Sequence, residues 1–313
     1  MFIKETHIGI IGSCVCDVIL TLPKLPTTAQ DVHLYTQTMR LGGCAYNAAQ
    51  VLQVLQQPYV LFSPVGKGIY GDYVRTHLHD NHMHSIIEDV EDENGCCYCL
   101  VEDSGERTFL SLHGCEYRFQ KAWFTRLDAY TFDSVYICGL EIEEDSGRYI
   151  LEWLQQHPEV TIYFAPGPRI CKIPSERMQA LLRMHAILHI NEEEALSYTH
   201  STSIQQAATM LYAQSHAPII ITLGAKGVYF YDGMQAFTIP SPSVQVKDTI
   251  GAGDTHIGAL LALRHMKKDW PTALFYANQL AAKVVSHVGA DLRKEDVTDL
   301  FPHIKSLRNC WKP

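Results

Sequence analysis

Short β-branched runs alternate with helical stretches along nearly the whole chain, and this rhythm limits the fold more than any other feature. "HIGIIGSCVCDVIL", residues 7–20, reads as one buried strand. "CAYNAAQVLQVLQ" follows a Gly-Gly pair and puts Ala48, Val51, Leu52 and Leu55 on one helical stripe. "YVLFSPVG" reads as a strand, "YGDYVRTHLHDN" as a helix and "HSIIEDV" as a strand. Later, "SVYICGL", "VTIYFAPG", "AILHI" and "PIIITLG" each lead into or out of a helical segment, and "GVYFYDGMQAFTI" has the pattern of a hairpin. Three helical segments follow, beginning with "GDTHIGALLALRHMKK". Such alternation predicts an α/β fold with a mostly parallel sheet covered on both faces, and ligands bound beyond the carboxyl ends of its strands.

Two segments fall outside the rhythm. "DVHLYTQTMRL" reads as an exposed strand, and "GCCYCLVEDSGERTFLSLHGC" as two extended runs around a "DSGE" turn. Both fit a small β-sheet lid over the cleft, with segments at roughly 31–41 and 95–116. With no linker and no internal repeat, residues 1–313 are expected to form one domain, a size normal for a single large α/β unit.

Composition narrows the partners. Hydrophobic residues make up 47% of the chain, enough for a large core, and the 19% charged residues form no long single-sign block. A net charge of −9 argues against nucleic acid as a partner, since phosphate neutralisation needs a basic surface. No apolar run reaches the roughly 20 residues of a membrane helix, and the chain is expected to be cytoplasmic. The ten cysteines include Cys14, Cys16, Cys96, Cys97 and Cys99, spaced as on strands rather than as paired zinc ligands. They are expected to be small buried side chains in a reducing compartment.

The chemistry concentrates at "DTIGAGDTHIGALL", residues 248–261. A helix N-terminus carries unsatisfied N–H groups and partial positive charge, and glycines allow close backbone approach. Gly251, Ala252 and Gly253 could surround an anion, with Asp254 placed to take a proton from a hydroxyl. Local physics leaves a second reading open, in which Asp254 is only a helix N-cap.

The stretch resembles the C-terminal signature of the ribokinase, or phosphofructokinase-B, family of carbohydrate kinases. The match holds at Asp248, Thr249, Gly251, Ala252, Gly253, Asp254, Gly258 and Ala259. Further matches run in family order from residue 12 to about 290. "GSCVCD" resembles the first strand's end with its substrate-binding aspartate, Asp17, and "GGCAYNAA" the N-terminal signature, with Gly42, Gly43 and Asn47 facing the sugar. A carboxylate and an amide suit vicinal hydroxyls. "CGLE" places Glu141 where relatives contact substrate. "NEEE" resembles the Asn-x-x-Glu element, which implies Asn191 and Glu194 near Mg²⁺ and the phosphates, partly through water. "TLGAKG" resembles the nucleotide-binding turn, with Thr222, Gly224 and Gly227 at the phosphates and ribose, and Asn278 matches a residue by the adenine. Arg169 could fork onto a phosphate, whereas Ala165 stands where many relatives have Asp. Relatives hold a monovalent cation, such as K⁺, beside the anion hole; Asp248 and the Ile250 carbonyl are the local counterparts.

The resemblance implies a ribokinase-like three-layer sandwich and an ATP-dependent kinase that phosphorylates a hydroxymethyl group of a sugar, with Asp254 as base. It also implies a homodimer joined through the lid strands. A nucleoside or pseudouridine kinase is the alternative, since Asp17, Gly42, Gly43 and Asn47 would bind a ribose equally well. A base needs a flat clamp, whereas the lid offers Cys97, Cys99, Leu110 and Leu112, which favours a compact sugar, although Tyr98 and Phe109 could contribute. A non-catalytic sugar-binding regulator would be expected to have lost Asp254 or the glycines. A nicotinamide-dependent dehydrogenase would need G-x-G-x-x-G after the first strand, which "GSCVCD" lacks.

Overall fold

The computed structural model describes residues 5–287 and 289–300. Twelve strands are described: β1 (His7–Ile11), β2 (Val15–Leu22), β3 (Thr36–Gly42), β4 (Tyr59–Phe62), β5 (Cys96–Glu102), β6 (Arg107–Leu112), β7 (Phe132–Cys138), β8 (Thr161–Ala165), β9 (Ile187–Asn191), β10 (Ile219–Thr222), β11 (Val228–Tyr231) and β12 (Ala236–Ile239). The helices are α1 (Cys44–Val54), α2 (Gly68–Asp80), α3 (Gly139–Glu143), α4 (Gly147–Gln156), α5 (Ser175–Arg183), α6 (Glu192–Thr199), α7 (Ile204–Ser215), α8 (Ala252–His265), α9 (Trp270–Val285) and α10 (Lys294–Leu300).

Eight strands form the main sheet in the order β12-β11-β10-β9-β8-β7-β1-β4. The pairs from β4 to β10 are parallel, and the β11–β12 hairpin extends the sheet antiparallel. Because successive strand side chains point to opposite faces, each central strand feeds two cores. Ile8, Ile10, Tyr136 and Ile220 pack with α1, α2, α8 and α9. Ile11, Val135, Ile137, Ile219 and Ile221 pack with α4, α5 and α7. This burial on both faces is why the strands read as continuous apolar runs. The helical stripe of Ala48, Val51, Leu52 and Leu55 is buried as its spacing predicts.

Two expectations are corrected. Residues 7–20 do not form one strand: β1 ends at Ile11 in the main sheet, and β2 begins at Val15 in a second sheet of order β3-β2-β5-β6. The chain crosses between the sheets at residues 12–14, held by Ser13 N–H donating to Glu141 Oε1 (2.7 Å) and Cys14 N–H donating to Ser63 Oγ (2.9 Å). The small sheet therefore includes β2 as well as the expected lid segments. "HSIIEDV" forms no strand; it makes a single bridge, Leu61 to Ser85, and otherwise runs as irregular chain.

The register of the small sheet matters for function. Val15 pairs Gly42, Cys16 pairs Cys96, and Cys96 pairs Leu112, so all four crossings to the main body lie at one end. Buried Glu116 ties two of these crossings, accepting N–H bonds from Gly95 (2.8 Å) and Gly114 (2.9 Å). At the far end Thr21 pairs Val101, which pairs Arg107.

Candidate active site

Asp17, Cys97 and Ser111 are register partners and share one face of the lid with Ile19, Cys99 and Phe109. That face is turned to the start of α8: burial and the nearby Asp254 charge push the Asp17 carboxyl up to about 7. Gly42 leaves room for the Asp17 carboxylate: a Cβ on it would lie 2.0 Å from Asp17 Oδ2 and push that side chain aside. Leu110 and Leu112 pair with Tyr98 and Cys96, on the opposite face. Of the four lid residues expected at the substrate, Cys97 and Cys99 lie on the Asp17 face and Leu110 and Leu112 are corrected to the other: Phe109, 56% exposed, is the large apolar side chain that β6 offers on the Asp17 face.

Helix α1 starts at Cys44 behind Gly43 and carries Asn47 in its first turn. Asn47 Nδ2 donates to Asp254 Oδ2 at 2.8 Å. Asp254 is not the N-cap of α8. That position belongs to Gly251, whose φ of 74° suits glycine, and no side chain caps the helix. Ala252 N–H makes only a long bond of 3.4 Å to the Thr249 carbonyl, and Gly253 is exposed with open space where a Cβ would stand. The first turn is thus a set of backbone donors with a carboxylate beside them. Burial raises the Asp254 carboxyl above its ordinary range, against the lowering effect of bonds from Asn47 and the Cys44 thiol. Cys44 gave no sequence signal beyond an apolar helix start; its contact with Asp254 is visible only in three dimensions.

Glu141 is fully buried beneath the crossing at residues 12–14. Its Oε1 takes the Ser13 N–H, its Oε2 has no hydrogen-bond partner, and burial pushes the carboxyl upward. Asn191 and Glu194 form a complete capping box on α6: Glu194 N–H donates to Asn191 Oδ1 (2.8 Å), and Asn191 N–H donates to Glu194 Oε2 (3.0 Å). Among the described residues no group of three or more His, Cys, Asp or Glu could hold a metal ion. One fixed carboxylate nevertheless fits a Mg²⁺ that keeps phosphate and water oxygens as its inner ligands.

Asn191, Thr222 and Gly224 line one open cleft of about 700 Å³, with Glu192, Glu193 and Leu196. Gly227 is not among the residues that line it and stands just before β11, after the turn at 224–226. Asn278, buried on α9, donates to the carbonyls of Ile239 (3.0 Å) and Pro240 (3.3 Å) and so pins the segment after β12. Arg169 forks onto Glu143, with Nε to Oε2 at 2.6 Å and a second bond from Nη2 to Oε1. The guanidinium expected at a phosphate thus already has a carboxylate partner. Asp248 accepts from Arg107 Nη1 (2.8 Å) and from Ile250 N–H (3.0 Å) on one oxygen, and from Gly289 N–H (3.1 Å) on the other.

Sheet, lid and α8 start together have a ribokinase-like architecture, and comparison with known proteins agrees. The family model described as "pfkB family carbohydrate kinase" matches residues 5–296, and the chain belongs to that family. The "Uncharacterized sugar kinase YegV" of Escherichia coli (strain K12) is 32% identical over 286 residues, covering 90% of this chain and 89% of that protein. The fructokinase of Vibrio alginolyticus is 26% identical, with 84% and 91% covered. Among solved structures, the ribokinase of Thermotoga maritima superposes with a TM-score of 0.84 at 19% identity, covering 95% of this chain and all of that one. The Arabidopsis thaliana ribokinase complexed with ribose and ATP gives 0.79 at 19% identity, with 95% and 99% covered. No helix among the described residues is long and apolar enough to cross a membrane.

Proposed function

We propose that the whole chain acts as one ATP-dependent kinase domain that transfers the γ-phosphoryl group to a hydroxymethyl group of a sugar. The observation that carries this reading is the Asn47–Asp254 bond at the uncapped start of α8, with Asp17 close by. The raised Asp254 carboxyl is a better proton acceptor than an ordinary one. As the hydroxymethyl proton passes to Asp254, its oxygen bonds to the γ-phosphorus and the bond to the β-phosphate bridging oxygen breaks, releasing ADP. The N–H groups of Gly251, Ala252 and Gly253 hold the negative charge on the transferring group. Mg²⁺, held by the nucleotide phosphates and through water by Glu194, would neutralise the developing phosphate charge.

Asp17 and Asn47 orient the sugar hydroxyls, Gly42 and Gly43 admit the ring, and Glu141 steadies Ser13 beneath them. The cleft of Asn191, Thr222 and Gly224 takes the nucleotide, with Gly227 shaping its turn and Asn278 supporting the adenine side through residues 239–240. Arg169 reaches a phosphate only by exchanging Glu143 for it. The lid excludes water, which would otherwise accept the phosphoryl group. The free edges of β3 and β6 suit pairing with a second copy, and light scattering showing only monomer counts against that assembly.

Phe109 gives one reason to keep nucleosides in view, since its ring lies on the Asp17 face where a base could stack. An ADP-release screen over sugars, sugar phosphates and nucleosides, with Asp254→Asn as the blank, tests both readings. ADP release from no acceptor, or equal release by the blank, defeats the kinase assignment. Nucleosides turned over ahead of free sugars would favour the second reading.

A further inference from the structure

The family resemblance implies a monovalent cation at Asp248, and the residues present do not fit one. Asp248 Oδ1 accepts from both the Arg107 guanidinium and Ile250 N–H, and Oδ2 accepts from Gly289 N–H. A carboxylate oxygen offers about two acceptor directions, so Oδ1 has none left for a metal ion and Oδ2 keeps only one, beside the Gly289 N–H. The neighbouring Val285 carbonyl is also engaged, accepting from Lys247 N–H (2.8 Å) and Asp248 N–H (3.3 Å). A second guanidinium closes on the same loop, since a Cβ on Gly289 would lie 2.6 Å from Arg40 Nη1. The Arg107 guanidinium, held at 2.8 Å, repels a further cation, and the repulsion is weakly screened where Asp248 is only 6% exposed; the exposed Arg40 adds to it.

We propose that Arg107 takes the place of the monovalent cation, so that the protein's own side chain supplies the charge that holds Asp248 and the loop leading to Gly251. Asp248 lies three residues before Gly251, and its bond to Ile250 N–H sets the direction in which the backbone enters α8. A guanidinium does this work with a fixed, directional bond and without drawing an ion from solution. Arg107 is a positioning residue: it acts on the backbone donors of the first turn through Asp248.

The inference builds on the proposed kinase activity, and its test has one arm that does not need that activity. The unfolding temperature of wild type and Arg107→Gln is measured in KCl and in tetramethylammonium chloride of equal ionic strength. ADP release is measured in the same buffers. Wild type is expected to show the same unfolding temperature and turnover in both salts. Arg107→Gln is expected to lose about tenfold or more in turnover, to recover part of it in KCl, and to gain a K⁺-dependent rise in unfolding temperature. Arg107→Lys, which keeps the charge, is expected to stay indifferent to K⁺. A wild type that unfolds at a higher temperature and turns over faster in KCl overturns the proposal. So does an Arg107→Gln variant whose unfolding and turnover match wild type in both salts. Should no acceptor be phosphorylated, the unfolding arm still decides the cation question, while the kinase reading fails separately.

Discussion

Asn47 and Asp254, 207 residues apart, meet through a 2.8 Å bond that fixes the carboxylate at the helix start. The amide lowers the Asp254 carboxyl against the upward push of burial. Replacing Asn47 by Leu removes the donor, so Asp254 stays protonated to higher pH. The acid limb of the kcat/KM profile should move upward, and kcat should fall by about tenfold or more, consistent with the loss of a hydrogen bond to a charged group. Unchanged limbs would show that Asp254 is not the titrating base.

Asp17 gives a pH signature of its own. Its carboxyl is raised to about 7 by burial and by the Asp254 charge, from an ordinary value of about 3.8. The folded state therefore binds this proton more tightly than the unfolded chain. The stability contributed is complete below the unfolded value and is lost as pH rises through about 7. Asp17→Asn should raise the unfolding temperature more at pH about 8 than at pH about 5, while weakening the sugar KM. A shift independent of pH would remove the raised carboxyl from the account.

A buried histidine pair works in the opposite direction. His189 Nε2 and His256 Nδ1 are 2.8 Å apart beneath the first turn of α8. Burial depresses both, aided for His189 by the His256 ring, and His256 is pushed down to about 4. Their stabilising effect is present above the unfolded value of about 6.5 and is lost as pH falls toward the folded one. The unfolding temperature of wild type should drop between pH about 6.5 and 5, and His256→Gln should flatten that drop. Equal slopes for the two proteins would contradict the assignment.

Gly251→Ala should injure the site at its backbone. The new side chain would adopt φ 74° and place a Cβ 2.4 Å from that of Ala290. A left-handed residue with a Cβ costs roughly 1–2 kcal/mol before that contact is counted. Turnover should fall by about tenfold or more as the N–H donors shift, with the sugar KM changed little. Calorimetry and steady-state kinetics check the two parts.

Parts of this molecule are legible in one dimension because their causes are local. Gly251, Gly253 and Asp254 lie within one turn, and buried strands show as apolar runs. The break after Ile11 was not legible, since the apolar runs Ile10–Ile11 and Cys14–Cys16 flank it and Gly12-Ser13 is a weak interruption. Leu110 and Phe109 were hard to place because one residue of strand parity reverses the face, and parity follows from pairing with β5. The Arg107–Asp248 pair spans 141 residues, and nothing in either neighbourhood announces the other. Arg169 carried a plausible phosphate role by position, while its fork with Glu143 depends on how α3 meets residues 167–172.

The placement of all four crossings at one end of the small sheet makes it a lever. Asp17 stands two residues beyond Val15, roughly 7 Å along the strand, whereas Arg107 is level with Thr21, roughly 20 Å from the same pivot. A rotation that carries Arg107 about 3 Å from Asp248 moves Asp17 only about 1 Å, by simple proportion of those arms. Asp17 can thus hold its station while the tip lets go, so an early step of opening would unsettle the loop that leads to Gly251 before it displaces Asp17.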